Sequence, residues 1–205
     1  ESVKSIKKYS YISQNYFSEK EARSFFNNLD KNTTTEKRNY VIFFTGYFLG
    51  LRISEAANLL LDDIDFKNNL IYINNTKNSE SRAMPLIEPL GTMLEKYIQN
   101  IRTVVSNSPI SNNLFISREG DSLKKDSIEK YLINNLNKMK IEKKLTFHSF
   151  RHSIATHLLK NEMNIRLIQK YLGHRSINST AHYTKVIPEE LKKAVRKYHP
   201  RDTWT

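Results

Sequence analysis

Apolar residues recur at helical spacing through the first quarter of the chain, between capping residues and turns. Ser18 and Glu21 have the spacing of a capping box, which predicts that a helix opens there. A denser apolar pattern predicts a nearly buried helix over residues 36–49, closed by Gly50. We expect Ser54 to cap a short third helix.

The hydrophobic period then changes from helical to strand-like. Residues 70–73 and 82–87 are runs of this kind, and the polar stretch 74–81 between them predicts a β-hairpin with a long tip. The later apolar stretches predict a short segment at 114–116 and a helix at 89–105. Further helices are predicted from Asp121 or Ser122 across 128–136 and at 148–161, 164–172, 176–183 and 188–198, with Asn164 as the cap of the 164–172 helix and Gly173 as its stop. The predicted fold class is α+β and mostly α-helical, with a small antiparallel β-sheet or hairpin.

The charge balance indicates an acidic partner. The 205 residues include 33 Lys and Arg against 21 Asp and Glu, which gives a formal net charge of +12. Such an excess favours a polyanion through counterion release, although a basic surface without a partner gives the same count. The basic residues are spread along the chain rather than collected in a tail, which indicates a folded basic face.

Composition excludes several other classes of protein. The chain contains no cysteine, which excludes a disulfide scaffold and thiol catalysis. No apolar run reaches the roughly 18 residues of a membrane span. The first residues are not followed by the apolar core of a signal peptide.

Four short segments carry residues suited to phosphate chemistry. In the first, Arg52 lies at a predicted helix junction and Glu55 follows three residues later. The pair is either an ordinary surface ion pair or an arginine fork that binds a phosphate and is braced by the acid. In the second, Lys77 lies at the hairpin tip, where its flexible stem leaves it solvated or lets it reach a groove and donate a proton.

The third segment places two histidines and an arginine at helical spacing. His148 and Arg151 are three residues apart and share a face of the predicted helix, a combination suited to holding a phosphate and moving a proton. His148 and His152 also have the spacing of a metal site, but Ser149 stands where the zincin pattern requires glutamate. A metal site is therefore the weaker interpretation.

The fourth segment combines His174 with Tyr183, nine residues later. A tyrosine hydroxyl is a poor nucleophile unless nearby cations stabilise its anion. Most of the 11 tyrosines must be structural, so that Tyr183 on its own would be assigned to the core or the surface.

Together these segments resemble the catalytic domain of the tyrosine recombinases, the phage integrase family. The matching texts are GLRISE, HSFRH, YLGHRS and TAHYT, at residues 50–55, 148–152, 171–176 and 180–184. The resemblance extends from about residue 16 to about residue 198. One departure follows Lys77, where many relatives have a glycine and this chain has Asn78.

The resemblance implies a reaction in which Tyr183 attacks a DNA phosphodiester, forms a 3′-phosphotyrosyl bond and releases a 5′-hydroxyl. Arg52 and Arg151 would hold the non-bridging oxygens of the scissile phosphate. The covalent intermediate conserves the bond energy, so that rejoining requires no ATP. The expected cofactors are therefore none, and no metal ion is expected.

The other residues take supporting roles in the implied reaction. His148 would accept or share the tyrosine proton, and Lys77 would protonate the leaving 5′-oxygen. His174 would hydrogen-bond the phosphate, and Glu55 would brace the site.

The resemblance also implies a biological setting. The enzyme would be a site-specific recombinase or integrase of a mobile element, phage or chromosome-dimer system, and it would act on double-stranded DNA. It would be a monomer when free and a homotetramer on DNA, assisted by DNA-bending proteins, in the bacterial cytoplasm and at the nucleoid. Residues 1–17 would be a linker from a missing N-terminal core-binding domain, and residues 18–205 the catalytic domain.

Two questions stay open at the level of sequence. A catalytically silent DNA-binding protein of the same fold, a metal-dependent nuclease and a nicking-and-swivelling topoisomerase are the alternatives to a recombinase. The helix predicted at 188–198 packs either on its own domain or on a neighbouring subunit. Its anchors would be Leu191, Ala194, Val195 and Tyr198.

Overall fold

Eight α-helices and three strands form the part of the chain that the computed structural model describes, namely residues 15–74, 81–106, 111–173 and 189–200. The helices are α1 Glu19–Asn27, α2 Thr34–Phe48, α3 Ile53–Asn58, α4 Leu90–Asn100, α5 Lys125–Lys138, α6 Phe147–Lys160, α7 Ile165–Leu172 and α8 Glu189–Tyr198. The strands are β1 Ile64–Asp65, β2 Leu70–Ile73 and β3 Arg82–Pro85, and two 3₁₀ turns cover Leu61–Asp63 and Arg102–Val104. The predicted α+β, mostly helical fold class is confirmed.

Capping boxes begin the first two helices. The Ser18 hydroxyl accepts a hydrogen bond from the Glu21 N–H, and the Glu21 carboxylate accepts one from the Ser18 N–H at 2.8 Å, as predicted. Thr33 and Glu36 make the same reciprocal pair at the start of α2, which therefore begins earlier than residue 36. These side chains satisfy backbone N–H groups that have no acceptor inside the helix.

Helix α2 runs through the middle of the core. Its residues from Val41 to Phe48 are all buried, and it packs against α4 and α6. Phe150 of α6 lies at the centre of an aromatic cluster, with its ring centroid 5.3 Å from that of Phe17 and 5.8 Å from that of Phe25. Phe150 and Ile154 are fully buried, because α6 turns this face toward α2.

The sheet is antiparallel, in the order β1-β2-β3. Strands β2 and β3 form the predicted hairpin, with Ile71 opposite Met84, and both of these side chains are fully buried. Residues 75–80 of the hairpin tip lie outside the described residues. Strand β1 was not predicted, because two residues are too short to show an alternating pattern.

Two predicted caps are wrong. Arg52, not Ser54, is the N-cap residue of α3. Helix α5 begins at Lys125, after Lys124 as N-cap, rather than at Asp121 or Ser122. The reason is that Ser122 pairs with Ile116 in an isolated β-bridge, which holds this stretch extended. The helix predicted at 176–183 falls outside the described residues.

The C-terminal helix packs on its own chain. Leu191, Ala194 and Val195 of α8 are buried in the described residues, and the Asn161 side chain donates to the Tyr198 carbonyl at 3.0 Å. The His199 ring stacks on Phe48 with centroids 3.9 Å apart. The apolar face of α8 therefore completes the core that α2 begins.

Both the N–H and the carbonyl of Phe17 are hydrogen-bonded to side chains of α6. Its N–H donates to the Ser153 hydroxyl at 2.8 Å, and its carbonyl lies 2.9 Å from Nε2 of His157. The Tyr47 hydroxyl lies 2.8 Å from Nδ1 of His157. A neutral ring that donates through Nε2 to the carbonyl and accepts at Nδ1 from the phenol satisfies both contacts. Within the described residues, no helix is long and apolar enough to cross a membrane.

We predict that His157 makes the protein acid-sensitive. Burial lowers the pKa of His157 from 6.5 to about 4, so the folded state binds this proton less readily than the unfolded chain does. Stability is therefore complete above pH 6.5 and is lost as the pH falls toward 4, by about 3 kcal/mol. Urea unfolding at pH 7, 6, 5 and 4 measures this loss. His157→Gln is the control, and an equally steep loss in that variant would contradict the assignment.

Candidate active site

The site begins at the turn between α2 and α3. Helix α2 ends in a Schellman motif, in which the Gly50 N–H donates to the Tyr47 carbonyl at 3.2 Å and the Leu51 N–H to the Gly46 carbonyl at 2.9 Å. Gly50 has a φ of +59°, which a side chain disfavours. A Cβ there would lie 2.6 Å from a Leu172 methyl carbon, so that only glycine lets this turn approach the end of α7.

Arg52 follows this turn and is bound to Glu55. As the N-cap residue of α3, Arg52 donates its backbone N–H to Oε2 of Glu55 at 2.9 Å. Its Nη1 donates to Oε1 of the same carboxylate at 3.0 Å. The Arg52 side chain is 33% exposed, so that its guanidinium is fixed at one edge and open to solvent at another.

Arg82, the first residue of β3, is a second partner of Glu55. Its Nη1 and Nη2 donate to Oε1 and Oε2 of Glu55, each at 3.1 Å, in a two-bond fork. Its Nε donates to the Tyr171 carbonyl at the end of α7, also at 3.1 Å. Arg82 thereby joins the sheet, α3 and α7.

Glu55 is ionised in spite of its burial. The Glu55 side chain is 0% exposed, and burial alone raises the pKa of a carboxyl group. The hydrogen bonds and charge of Arg82, the Arg52 N–H and the charge of Arg151 outweigh burial and lower the pKa of Glu55 below its ordinary value. The carboxylate therefore carries a full negative charge at neutral pH.

Arg151 reaches the same place from α6. It is buried, and it donates from Nη1 to the Gly50 carbonyl at 2.8 Å and from Nη2 to the Leu172 carbonyl at 2.6 Å. Burial, together with the charges of Arg52 and Arg82, lowers the pKa of Arg151 to about 10. Arg151 is still protonated at neutral pH.

The three guanidiniums outnumber the single carboxylate. Arg52, Arg82 and Arg151 carry three positive charges around one negative Glu55, which leaves a net charge of +2 at the base of the site. In a largely dehydrated setting such an excess attracts an anion strongly. An anion can reach this charge from solvent at the exposed part of the Arg52 side chain.

His148 lies in the first turn of α6. The Phe147 N–H donates to both oxygens of Glu129, at 3.2 Å each, which fixes the start of the helix. The His148 side chain is exposed, whereas Arg151 one turn later is buried. The His148 ring stands edge-to-face with that of His152, with centroids 4.8 Å apart. Among the described residues, no group of three or more acidic or histidine side chains is arranged to hold a metal ion.

The structure brings Arg52, Glu55 and Arg151 together, and it places His148 one turn before Arg151 on α6. Lys77, His174 and Tyr183 lie outside the described residues. The segments that lead to two of them are described, since β3 follows the hairpin tip and Gly173 comes directly before His174.

Arg82 is the site residue that the sequence prediction missed. The residue pattern predicts a strand that starts at Arg82, directly after the hairpin tip, and gives this side chain no role because no motif spacing singles it out. One signal was present, since alternate residues of a strand share a face and Arg82 stands two positions before the fully buried Met84. An inward-facing arginine at a strand end needs buried acceptors for its N–H groups, and the Glu55 carboxylate supplies two of them.

The sequence profile of the Phage integrase family matches residues 15–190. That match covers most of the 205 residues, and this chain belongs to the phage integrase family.

Relatives in sequence and structure agree with this assignment. The chain is 35% identical over 155 residues to tyrosine recombinase XerD of Staphylococcus saprophyticus. The aligned region covers 76% of this chain and 52% of that protein. The chain thus spans about half the length of this curated relative. It is 28% identical to the crystal structure of XerA recombinase, with a TM-score of 0.68 over 91% of this chain and 65% of that one.

A third comparison concerns the fold alone. The XerH site-specific recombinase, solved bound to its difH substrate, superimposes with a TM-score of 0.67 at 20% identity. This covers 92% of this chain and 51% of XerH.

We predict that Gly50→Ala destabilises the protein. The variant would hold a side chain at a φ of +59° and press its Cβ against Leu172, which costs more than about 1 kcal/mol. Gly91→Ala is the matched control, because Gly91 lies inside α4, where alanine stabilises a helix and the nearest contact is the end of the Glu88 side chain. Urea unfolding compares the two, and equal stabilities would refute the close approach at Gly50.

Proposed function

We propose that this chain is the catalytic domain of a site-specific DNA recombinase, which cleaves and rejoins DNA through a covalent 3′-phosphotyrosyl intermediate. The observation that carries the proposal is the excess of two positive charges around buried Glu55, with Arg52 open to solvent. Membership of the phage integrase family supports it. The formal net charge of +12 supports double-stranded DNA as the partner.

The two described catalytic arginines would stabilise the transition state. An attacked phosphodiester gains negative charge on its non-bridging oxygens, and fixed cations in a dehydrated site stabilise that charge without reorganising. Arg52 uses one of its five N–H donors on a side chain of the described residues, and Arg151 uses two on main-chain carbonyls. Counted over the residues that the structure describes, both arginines therefore keep donors that could bind a phosphate.

The proton transfers would involve residues on both sides of the scissile bond. The Tyr183 oxygen forms the new bond to phosphorus, and its proton passes to His148. The bond from phosphorus to the 5′-oxygen breaks, and Lys77 supplies the proton which that oxygen takes up. His174 would hydrogen-bond the phosphate and Glu55 would brace the arginines. The exposure of His148 in the first turn of α6 suits a group that meets DNA from outside.

The proposal extends to assembly and setting. Residues 18–205 would act as the catalytic domain, with residues 1–17 as a linker. The protein would work on DNA as a homotetramer with accessory DNA-bending proteins, in the bacterial cytoplasm and at the nucleoid. The XerD and XerA recombinases to which the chain is similar support a role in site-specific recombination.

Trapping the covalent intermediate tests the proposal. The chain is incubated in chelator with a pool of nicked duplexes of randomised sequence, and protein–DNA adducts are isolated on a denaturing gel and sequenced. We expect an adduct from the wild-type protein and none from Tyr183→Phe, because only the phenol oxygen can attack the phosphate. Tyr131→Phe is the control and retains the adduct.

Each other outcome identifies an alternative. Duplex binding without an adduct in the wild-type protein would indicate a catalytically silent DNA-binding protein. Cleavage that appears only when a divalent metal replaces the chelator would indicate a nuclease. An adduct on the nicked duplexes, together with relaxation of a supercoiled plasmid without exchange of strands, would indicate a topoisomerase.

A further inference from the structure

Arg82 makes more contacts with the site than its place on the sheet requires. Its side chain is 8% exposed, and its guanidinium covers both oxygens of Glu55 and the Tyr171 carbonyl. We propose that Arg82 is a positioning residue of the recombination reaction, which holds Glu55 so that Arg52 keeps its donors for the phosphate and which joins the hairpin to the end of α7. This inference rests on the proposed function.

The first part of the argument is competition for the carboxylate. Oε1 of Glu55 accepts from Nη1 of both Arg52 and Arg82, at 3.0 and 3.1 Å. Oε2 accepts from the Arg52 N–H and from Nη2 of Arg82, at 2.9 and 3.1 Å. Because the Arg82 fork occupies both oxygens, the Arg52 guanidinium makes one bond to Glu55 rather than two. Without Arg82, Arg52 could close its own fork on Glu55 and withdraw from the substrate.

The second part is the position of Arg82 between two chain segments. A Cβ added to Gly173 would lie 2.9 Å from Cδ and 3.0 Å from Nη1 of Arg82, so that the arginine stem packs directly against the backbone that ends α7. Lys77 precedes Arg82 by five residues, and His174 follows Gly173. The start of β3 and the end of α7, which are the described elements that follow Lys77 and precede His174, therefore meet at Arg82.

Neutralising Glu55 does not by itself explain Arg82. Arg52 is already bonded to the carboxylate, and the charge of Arg151 also favours its ionised form. One carboxylate needs one countercharge, and the fork adds a fixed orientation. The role of Arg82 is therefore geometric as well as electrostatic.

The test compares three variants on a nicked duplex recovered from the random pool. Arg82→Gln removes the charge and the fork, and Arg82→Lys keeps the charge but not the fork. Arg102→Gln is the matched control, because Arg102 is also buried and bonded to main-chain carbonyls, those of Ser111 and Asn113, away from the site. Adduct formation is measured per folded molecule, together with non-covalent affinity for the duplex.

We expect Arg82→Gln to form the adduct roughly 10- to 100-fold more slowly, with unchanged affinity for the duplex, because the reacting groups are misplaced rather than lost. Arg82→Lys should recover part of the rate. Arg102→Gln should react at the wild-type rate once the folded fraction is taken into account.

The pH dependence separates positioning from a general loss of structure. Among the described residues, the charged groups that act on Glu55 are Arg52 before α3, Arg82 on β3 and Arg151 on α6. The Tyr171 phenol of α7, which feels the Arg82 charge, stays neutral because burial raises its pKa. Removing the Arg82 charge raises the pKa of Glu55. The rate deficit of Arg82→Gln should therefore grow as the pH falls from 7 to 5, whereas the Arg82→Lys deficit should stay constant.

Two results would overturn this role. The first is an Arg82→Gln protein that reacts at the wild-type rate. The second is a deficit that is independent of pH and is matched by Arg102→Gln, which would make Arg82 a support of the fold only. Failure of the proposed function gives a different result, namely no adduct from the wild-type chain.

Discussion

A single buried carboxylate determines how this site is built. Moving an unpaired carboxylate out of water costs several kcal/mol, so that Glu55 is tolerated only because guanidiniums and a backbone N–H surround it. Those partners come from different parts of the chain, with Arg52 on the turn after α2 and Arg82 on the sheet. The need to satisfy one charge therefore fixes the relative positions of segments that are distant in sequence. The positive excess that remains is what the proposed chemistry uses.

The regular parts of the fold could be predicted because local rules decide them. The Ser18–Glu21 capping box and the Asn164 cap of α7 act within one turn of chain, and both appear where the sequence places them. Gly173 adopts the left-handed conformation that ends α7, again as predicted. The wrong caps at Ser54 and Ser122 show where such local rules fail. Ser122 is a good cap by type, yet its pairing with Ile116 is a contact that no local pattern reveals.

The same difference between local patterns and long-range contacts separates the site residues that could be predicted from the one that could not. Arg52, Glu55, His148 and Arg151 were found because they stand in short motifs with fixed spacing. Arg82 has no motif, since its importance comes from Glu55, 27 residues earlier, and from the end of α7, 89 residues later. The burial of Arg151 was also not visible in its spacing from His148. That spacing places two residues near one face of a helix, and only the packing of α6 shows that one side chain is buried and the other exposed.

The acceptors that hold the arginines have a consequence of their own. Arg151 binds the carbonyls of Gly50 and Leu172, and Arg82 binds the carbonyl of Tyr171. A main-chain carbonyl is present whatever amino acid occupies the position, so that no codon change can delete these acceptors. Substitution threatens them only by moving the backbone, so that the sensitive positions are Gly50 and Gly173, whose positive φ angles set its path. The side chains of Tyr171 and Leu172 can therefore change without removing these acceptors, whereas the Glu55 carboxylate has no such substitute.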